Sequence, residues 1–219
     1  MAPSLKQCLT TTPATDGFGG QMVHRLCVYA LANGSVCNLP FQHVEHVSNK
    51  SEIAMFNRIL PTCNCTPGKQ IPRNCVMKTP LTDYVVPVQR FKDVVSWKPS
   101  ARTCLHIRRG DVTQAWKNRF VPVHSYARHV EEGSDVVIHT EHESNWKSWL
   151  VSNWTDVHYN APVLRVVKDC VSAHHFIGSC TSALSILIAL LRESSRVTLL
   201  CRHRALLPHP PGHWQLINI

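Results

Sequence analysis

Short β-rich runs alternate with helical stretches in the second half of the chain. Their periodicities predict the following elements in order: strand Thr103–Arg108, helix Val123–Glu132, strand Asp135–His139, helix Glu143–Ser152, strands Asp156–Tyr159 and His174–Gly178, helix Ser182–Glu193 and strand Arg196–Cys201. Strands and helices that alternate at this spacing predict βαβ units on a parallel sheet, with helices on both faces. We therefore predict a Rossmann-like half over residues 99–219.

The first 98 residues form the other predicted half, and the division falls near Trp97–Ser100. The predicted elements are a Gly-rich turn Asp16–Gly20, a helix from Gln21 to about Asn33, a strand-like run Ser35–Phe41 and a helix Ser51–Leu60. Residues 61–80 are rich in Pro, Cys and Asn and predict a loop, and Leu206–Trp214 predicts an irregular, extended segment.

The 219 residues are 44% apolar, which is enough for one large domain or two small ones with a core of their own. The net charge of +9 predicts an anionic partner, either nucleic acid, a membrane surface or a phosphorylated small molecule. Neither a transmembrane segment nor a signal peptide is expected, because the longest apolar run, Ala183–Leu191, is short and the N-terminus lacks an apolar stretch. These features predict a soluble, cytoplasmic protein.

The cysteines and glycosylation sequons leave a secretory location open. There are ten cysteines, and sequons begin at Asn33, Asn49, Asn64 and Asn153. Some cysteines lie in apolar segments, where a free thiol would serve as a small apolar side chain; these are Cys27, Cys104 and Cys201. Cys63, Cys65 and Cys75 lack the paired spacings of zinc modules, which favours a structural or disulfide role over zinc.

The segment Cys104–Asp111 carries the sharpest chemical signal. Alternation along the strand puts His106 and Arg108 on one face and Ile107 on the other, and Gly110 ends the strand. Ligands bind at the carboxyl edge of open α/β sheets, where guanidinium groups grip phosphate oxygens. The segment therefore predicts an anion site, with a solvated arginine pair beside a turn aspartate as the alternative.

Two further segments lead into predicted helices. Asp16–Gln21 is Gly-rich and Gly178–Ser182 is rich in hydroxyls, and each would present backbone amides and a helix dipole to an anion. An ordinary turn is the alternative for the first segment, and ordinary helix capping is the alternative for the second.

These motifs resemble those of the fucosyltransferases that use GDP-fucose, the superfamily of α1,2-, α1,6- and protein O-fucosyltransferases. His106–Asp111 looks like the His-x-Arg-Arg-x-Asp motif, and Gly17–Met22 looks like the Gly-Phe-Gly-x-Gln turn of the α1,6 branch. The Ser/Thr turn at 179–182 follows in the same order, and Asn38–His46 resembles a segment of small viral and microbial members. The resemblance covers stretches within residues 16–46 and 103–192.

The resemblance implies a GT-B-like α/β fold of two Rossmann-like halves, with residues 1–98 presenting the acceptor and residues 99–219 binding a nucleotide sugar. It assigns donor binding to Gly17, Phe18, Gly19, Gly20, Gln21, His106, Arg108, Arg109, Asp111, Thr140, Glu141, Ser179, Thr181 and Ser182. The implied partners are the nucleotide sugar and a glycan or glycoprotein acceptor, without nucleic acid. No cofactor or metal is expected, since the chain has no Asp-x-Asp pair to bind a divalent ion on the donor.

Breaking the bond between sugar and phosphate develops negative charge on the β-phosphate, which arginines and helix amides would stabilise. The resemblance implies inversion at the anomeric carbon. Arg108 is the expected catalytic cation, and Asp16 or Glu45 the general base. A turn aspartate and a surface carboxylate are the respective alternatives for these two acids.

The resemblance thus implies an inverting, metal-independent fucosyltransferase that moves L-fucose from GDP-fucose to a glycan or glycoprotein hydroxyl. Transfer from another nucleotide sugar is one alternative. A basic nucleic-acid- or polyanion-binding protein is another, although the chain has no basic stripe with interleaved aromatic residues.

Overall fold

A computed structural model of the chain describes residues 8–11, 17–31, 44, 50–59, 67–71, 89, 91–93, 95–109, 112, 118–141, 154, 156–192, 196–202 and 212–219. The chain forms two compact units. The first comprises Met1–Ser96 with Leu207–His209, and the second comprises Trp97–Leu206 with Pro210–Ile219.

The first unit contains strands β1 (Cys8–Thr11) and β2 (Pro67–Ile71) and helices α1 (Phe18–Leu31) and α2 (Lys50–Ile59). The strands pair in parallel. The prediction of a loop across residues 61–80 is wrong at β2. The run Pro-Gly-Lys-Gln-Ile has little intrinsic strand preference, so its strand conformation comes from pairing with β1, and a proline is tolerated as the first residue of a strand.

The second unit is built on one parallel six-stranded sheet. Its strands are β3 (Thr103–Ile107), β4 (Val136–Thr140), β5 (Asp156–Tyr159), β6 (His175–Ser179), β7 (Arg196–Cys201) and β8 (Trp214–Asn218), in the spatial order β5-β4-β3-β6-β7-β8. Helices α3 (Val123–Ala127), α4 (Val163–Ser172) and α5 (Ala183–Leu191) connect β3 to β4, β5 to β6 and β6 to β7. This is the doubly wound Rossmann order, which confirms the α/β class and the parallel sheet.

The central strands are buried at every position because both faces of the sheet are covered. On one face, a core cluster that includes Leu105, Ile107 and Ile138 packs with Tyr126 of α3. By alternation, Cys104, His106 and His139 lie on the opposite face, which α4 and α5 cover.

The predicted strands of this unit agree with the structure to within one residue, but other elements differ. The helix predicted over Val123–Glu132 ends at Ala127, and α4 was not predicted at all. The segment predicted to be irregular up to Trp214 gives way to strand β8 at that residue. The predicted helix Glu143–Ser152 and strand Ser35–Phe41 lie outside the described residues.

Among the helices that the structure describes, none combines the length and apolar character needed to cross a bilayer.

Candidate functional site

The candidate site lies where the strand order of the second unit reverses. β3 is the first strand of this sheet, and the chain adds β4 and β5 on one side of it before crossing to β6 on the other side. In open parallel sheets, ligands bind at the carboxyl ends of the two strands that flank such a reversal. The carboxyl end of β3 leads into Arg108 and Arg109, and that of β6 leads into the turn Ser179–Ser182.

The two arginines differ in their surroundings. Arg109 is only 1% exposed, and its guanidinium donates to the carbonyl oxygens of Arg108, at 2.7 Å, and Val121, at 2.9 Å. The same guanidinium lies 4.3 Å from the ring centroid of Phe120, a cation–π contact. Arg108 is half-buried. Arg109 therefore shapes the end of β3, while Arg108 is the arginine with a partly exposed side chain.

The Ser/Thr turn is held by its own hydroxyl groups. The Ser179 hydroxyl accepts the Thr181 amide at 3.2 Å, and the Ser182 hydroxyl caps α5 by accepting the Ser185 amide at 3.3 Å. Ser179 and Ser182 are buried, whereas Thr181 is half-buried. Because the first amides of a helix have no acceptor within the helix, the start of α5 is suited to an anion.

One segment, Asn118–Val121, is bonded to both motifs. Its Val121 carbonyl accepts from Arg109, and its Arg119 carbonyl accepts from the Thr181 hydroxyl at 3.2 Å. The arginine motif and the Ser/Thr turn are thus braced against the same piece of backbone.

His106 connects β3 to α5. Its Nδ1 lies 2.8 Å from the Ser185 hydroxyl, and the ring is 4% exposed. Burial lowers the pKa of His106 to about 3, with further lowering from the nearby charges of His139 and Arg108. The ring is therefore neutral at physiological pH, and it positions the strand end rather than adding a cation to it.

Thr140 is the last residue of β4 and Glu141 follows it, and both are predicted donor-binding residues. The Glu141 carboxylate accepts the backbone amide of Arg109 at 2.5 Å, and the Thr140 hydroxyl donates to the Glu141 carbonyl at 3.2 Å. Thr140 is buried and Glu141 half-buried. The structure therefore brings Glu141 to the arginine motif, where it fixes the backbone of the buried arginine.

A disulfide fixes the Ser/Thr turn to the neighbouring strand. Cys180 within the turn is bonded to Cys201 at the end of β7, with their Cα atoms 5.1 Å apart. Cys27 is also disulfide-bonded. The free-thiol alternative for Cys27 and Cys201 is therefore wrong, whereas Cys104 is free, as that alternative proposed.

Most of the described part of the predicted Gly-rich turn, Gly17–Gly20, lies in a helix. α1 begins at Phe18, so Gly19, Gly20 and Gln21 belong to its first turns, and only Gly17 precedes it. Phe18 stacks on Phe56, with ring centroids 3.8 Å apart, and contributes to the core of this unit. That packing, invisible in a Gly-rich local sequence, explains why the helix starts early. Asp16, Glu45 and Asp111 lie outside the described residues.

Sequence reasoning missed two parts of the site, namely Ser185 and the segment Asn118–Val121. Ser185 lies in an otherwise apolar helix, and a single buried hydroxyl in such a helix is a usable signal for a polar partner. The bracing segment carries no motif, because it acts through backbone carbonyls.

No protein-family model matches the chain, and no curated protein matches it. Among solved structures, the chain is similar to a crystal structure of NodZ alpha-1,6-fucosyltransferase soaked with GDP-fucose. The two share 11% sequence identity with a TM-score of 0.44, and the match covers 85% of this chain and 93% of that one.

Proposed function

We propose that this protein is a glycosyltransferase that binds a nucleotide sugar at the carboxyl edge between β3 and β6. The observation that carries the proposal is the position of Arg108 and the Ser/Thr turn on the two strands that flank the reversal of strand order. A guanidinium and the start of a nine-residue helix at one sheet edge suit the diphosphate of such a donor.

In this proposal, catalysis is electrostatic. As the bond between sugar and phosphate breaks, Arg108 and the first amides of α5 stabilise the charge that grows on the leaving diphosphate. Arg109 and His106 fix the ends of β3 and α5, so the donors are in place before the charge develops. The reaction needs no divalent ion on the donor.

The resemblance of His106–Asp111 to the fucosyltransferase motif makes GDP-fucose the proposed donor and inversion the proposed stereochemistry. A glycan or glycoprotein hydroxyl is the proposed acceptor. Asp16 or Glu45 would remove its proton, so Asp16→Asn and Glu45→Gln should separate the two candidates: loss of turnover with unchanged donor binding identifies the base.

The test is a thermal-shift and calorimetric titration of the full chain with GDP, GDP-fucose and the corresponding uridine and adenosine compounds. Each is measured with EDTA and with added Mg²⁺, and the ligand-induced change in Tm is compared within each buffer. We expect a rise in Tm with GDP and GDP-fucose, of equal size in both buffers.

Arg108→Ala should weaken GDP binding by about 10- to 100-fold, since it removes a charge-assisted contact, without lowering the Tm of the free protein. Arg128→Ala, at an exposed arginine after α3, is the matched control and should bind GDP like the wild type. Equal GDP affinity in both variants would disprove the role of Arg108.

Two outcomes would replace the proposal with another. A Tm response to a different nucleotide sugar would change the donor while keeping the reaction class. Polynucleotide binding that falls steeply with salt, together with no response to any nucleotide sugar, would favour a polyanion-binding protein.

A further inference from the structure

A cluster of metal-binding side chains lies in the second unit, under α4. Cys104 on β3, His139 on β4 and Cys170 on α4 each offer one ligand atom, and these atoms lie within 4.8 Å of one another. The two sulfurs are 2.7 Å apart, and neither cysteine is in a disulfide. Exposure is 0% for both cysteines and 1% for His139.

The ring of His139 has one engaged and one unengaged nitrogen. Its Nε2 lies 3.0 Å from the Asp169 carboxylate, which also faces Arg165 at 3.6 Å. Its Nδ1 is buried and has no hydrogen-bond partner among the described residues. A buried polar atom without a partner destabilises the fold. With Nε2 donating to Asp169, Nδ1 of the neutral ring carries a lone pair.

We propose that Cys104, His139 and Cys170 bind a Zn²⁺ ion, with Nδ1 as the histidine ligand. Two thiolates and an imidazole are ligands that zinc prefers, whereas Mg²⁺ and Ca²⁺ prefer oxygen. A carboxylate on the far nitrogen, as Asp169 is here, is the usual support for a zinc-bound histidine. The site joins three elements, so the ion would fasten α4 to the two central strands.

Binding changes the local geometry in a defined way. Each thiol loses its proton, so two protons leave as the ion enters. At zinc–sulfur distances of about 2.3 Å in a tetrahedral site, the sulfurs lie about 3.8 Å apart, so they separate by about 1 Å. The three side chains supply three of the four positions of a tetrahedral zinc site.

The rival arrangement is a disulfide between Cys104 and Cys170. It would form by exchange with another disulfide, which takes up the two electrons and the thiol protons. It would bring the sulfurs to about 2.05 Å and leave Nδ1 of His139 without a partner. Zinc satisfies all three side chains at once, and for that reason we favour it.

The test measures zinc in the full chain, purified without chelators from zinc-supplemented cells, by plasma mass spectrometry. We expect roughly one bound zinc ion in the wild type and loss of that ion in Cys170→Ser and His139→Ala. His158→Ala is the matched control, since its ring stacks on His139 at a centroid distance of 5.1 Å and is not a ligand. Cys65→Ser controls for the cysteines at positions 63, 65 and 75 of the sequence, and both control variants should keep the ion.

X-ray absorption at the zinc edge of the wild type supplies a measurement that does not depend on any variant folding, and it should show two sulfur and one imidazole ligand. The proposal would be overturned if Cys170→Ser kept the zinc ion or if Cys65→Ser lost it. So would a zinc-free wild type, whether peptide mapping finds Cys104 joined to Cys170 or both thiols free.

Discussion

His106 Nδ1 lies 2.8 Å from the hydroxyl of Ser185, so a buried hydrogen bond joins β3 to the first turn of α5 at the point where the strand order reverses. We predict that Ser185→Ala lowers the free energy of unfolding by about 1–3 kcal/mol, because the buried imidazole nitrogen loses its partner. Urea unfolding followed by circular dichroism measures the change. Ala183→Ser, at a half-buried position of the same helix, is the control for altered hydroxyl content and should change stability little. Equal free energies of unfolding for Ser185→Ala and the wild type would show that this hydrogen bond contributes nothing to stability.

Gly178 allows α5 to approach β6 closely. A Cβ at this position would lie 2.8 Å from the Ser185 Cβ and 2.8 Å from the Phe176 ring. We therefore expect Gly178→Ala to destabilise the fold by about 1–3 kcal/mol through overpacking. Gly212→Ala is the matched control, since a Cβ there meets nothing within 4 Å. Chemical denaturation should separate the two variants, and equal midpoints would contradict the prediction.

Arg192 closes the carboxyl end of α4. Its guanidinium donates to the carbonyls of Cys170, Val171, Ala173, His174 and Arg196, and it is 3% exposed. The last carbonyls of a helix have no donor within the helix, so Arg192 satisfies groups that would otherwise be buried without partners.

Lysine cannot reproduce this planar, multiple donor, so Arg192→Lys should lower the unfolding free energy by about 2–4 kcal/mol. Arg196→Lys, at an exposed residue paired with Glu131, should change it little, because exposed ion pairs contribute little to stability. Thermal unfolding measured side by side provides the comparison. A smaller loss for Arg192→Lys than for Arg196→Lys would refute the capping role.

His175 gives the fold a predictable sensitivity to acid. Burial lowers the pKa of His175 to about 4, and the charge of Arg196 is the second largest cause. In an unfolded chain the pKa of a histidine is about 6.5. Between these values the unfolded chain binds more protons. The contribution of His175 to stability is therefore complete above about pH 6.5 and is lost as the pH falls towards 4.

We expect His175→Gln to reduce the slope of unfolding free energy against pH in that range, by at most about 1.4 kcal/mol per pH unit. Ala101→Ser, at an exposed position without an ionisable side chain, is the control and should leave the slope unchanged. Urea titrations at several pH values give both slopes. Parallel curves for His175→Gln and the wild type would exclude this origin of acid sensitivity.

The central strands of the second unit were predictable because their runs of apolar and β-branched residues are buried on both faces of the sheet. β5 and β7 start and end where the sequence predicts. Helix α4 was missed although its pattern is in the sequence: apolar residues recur at helical spacing from Val163 to Val171, directly after a proline. Strand β8 is a different case. It is a short edge strand whose conformation depends on pairing with β7.

The alternation of side chains along β3 places Arg108 and Arg109 on opposite faces of the sheet. Residues 104, 106 and 108 alternate with 105, 107 and 109, so Arg109 follows the face that packs on Val121 and Tyr126. The motif indicates an arginine pair, but only the packing of a segment outside the motif decides that Arg109 is buried. Composition does not encode that packing.

Because Cys180 and Cys201 form a disulfide, the covalent state of a sample depends on how the protein was expressed and stored. Such bonds form in oxidising compartments and are rare in the cytosol. Material made inside an ordinary bacterial cell, or stored with a thiol reductant, would lack the covalent link between the turn Ser179–Ser182 and β7 and would keep only their backbone hydrogen bonds. Recombinant protein secreted through an oxidising pathway is therefore the appropriate starting material for studying ligand affinity.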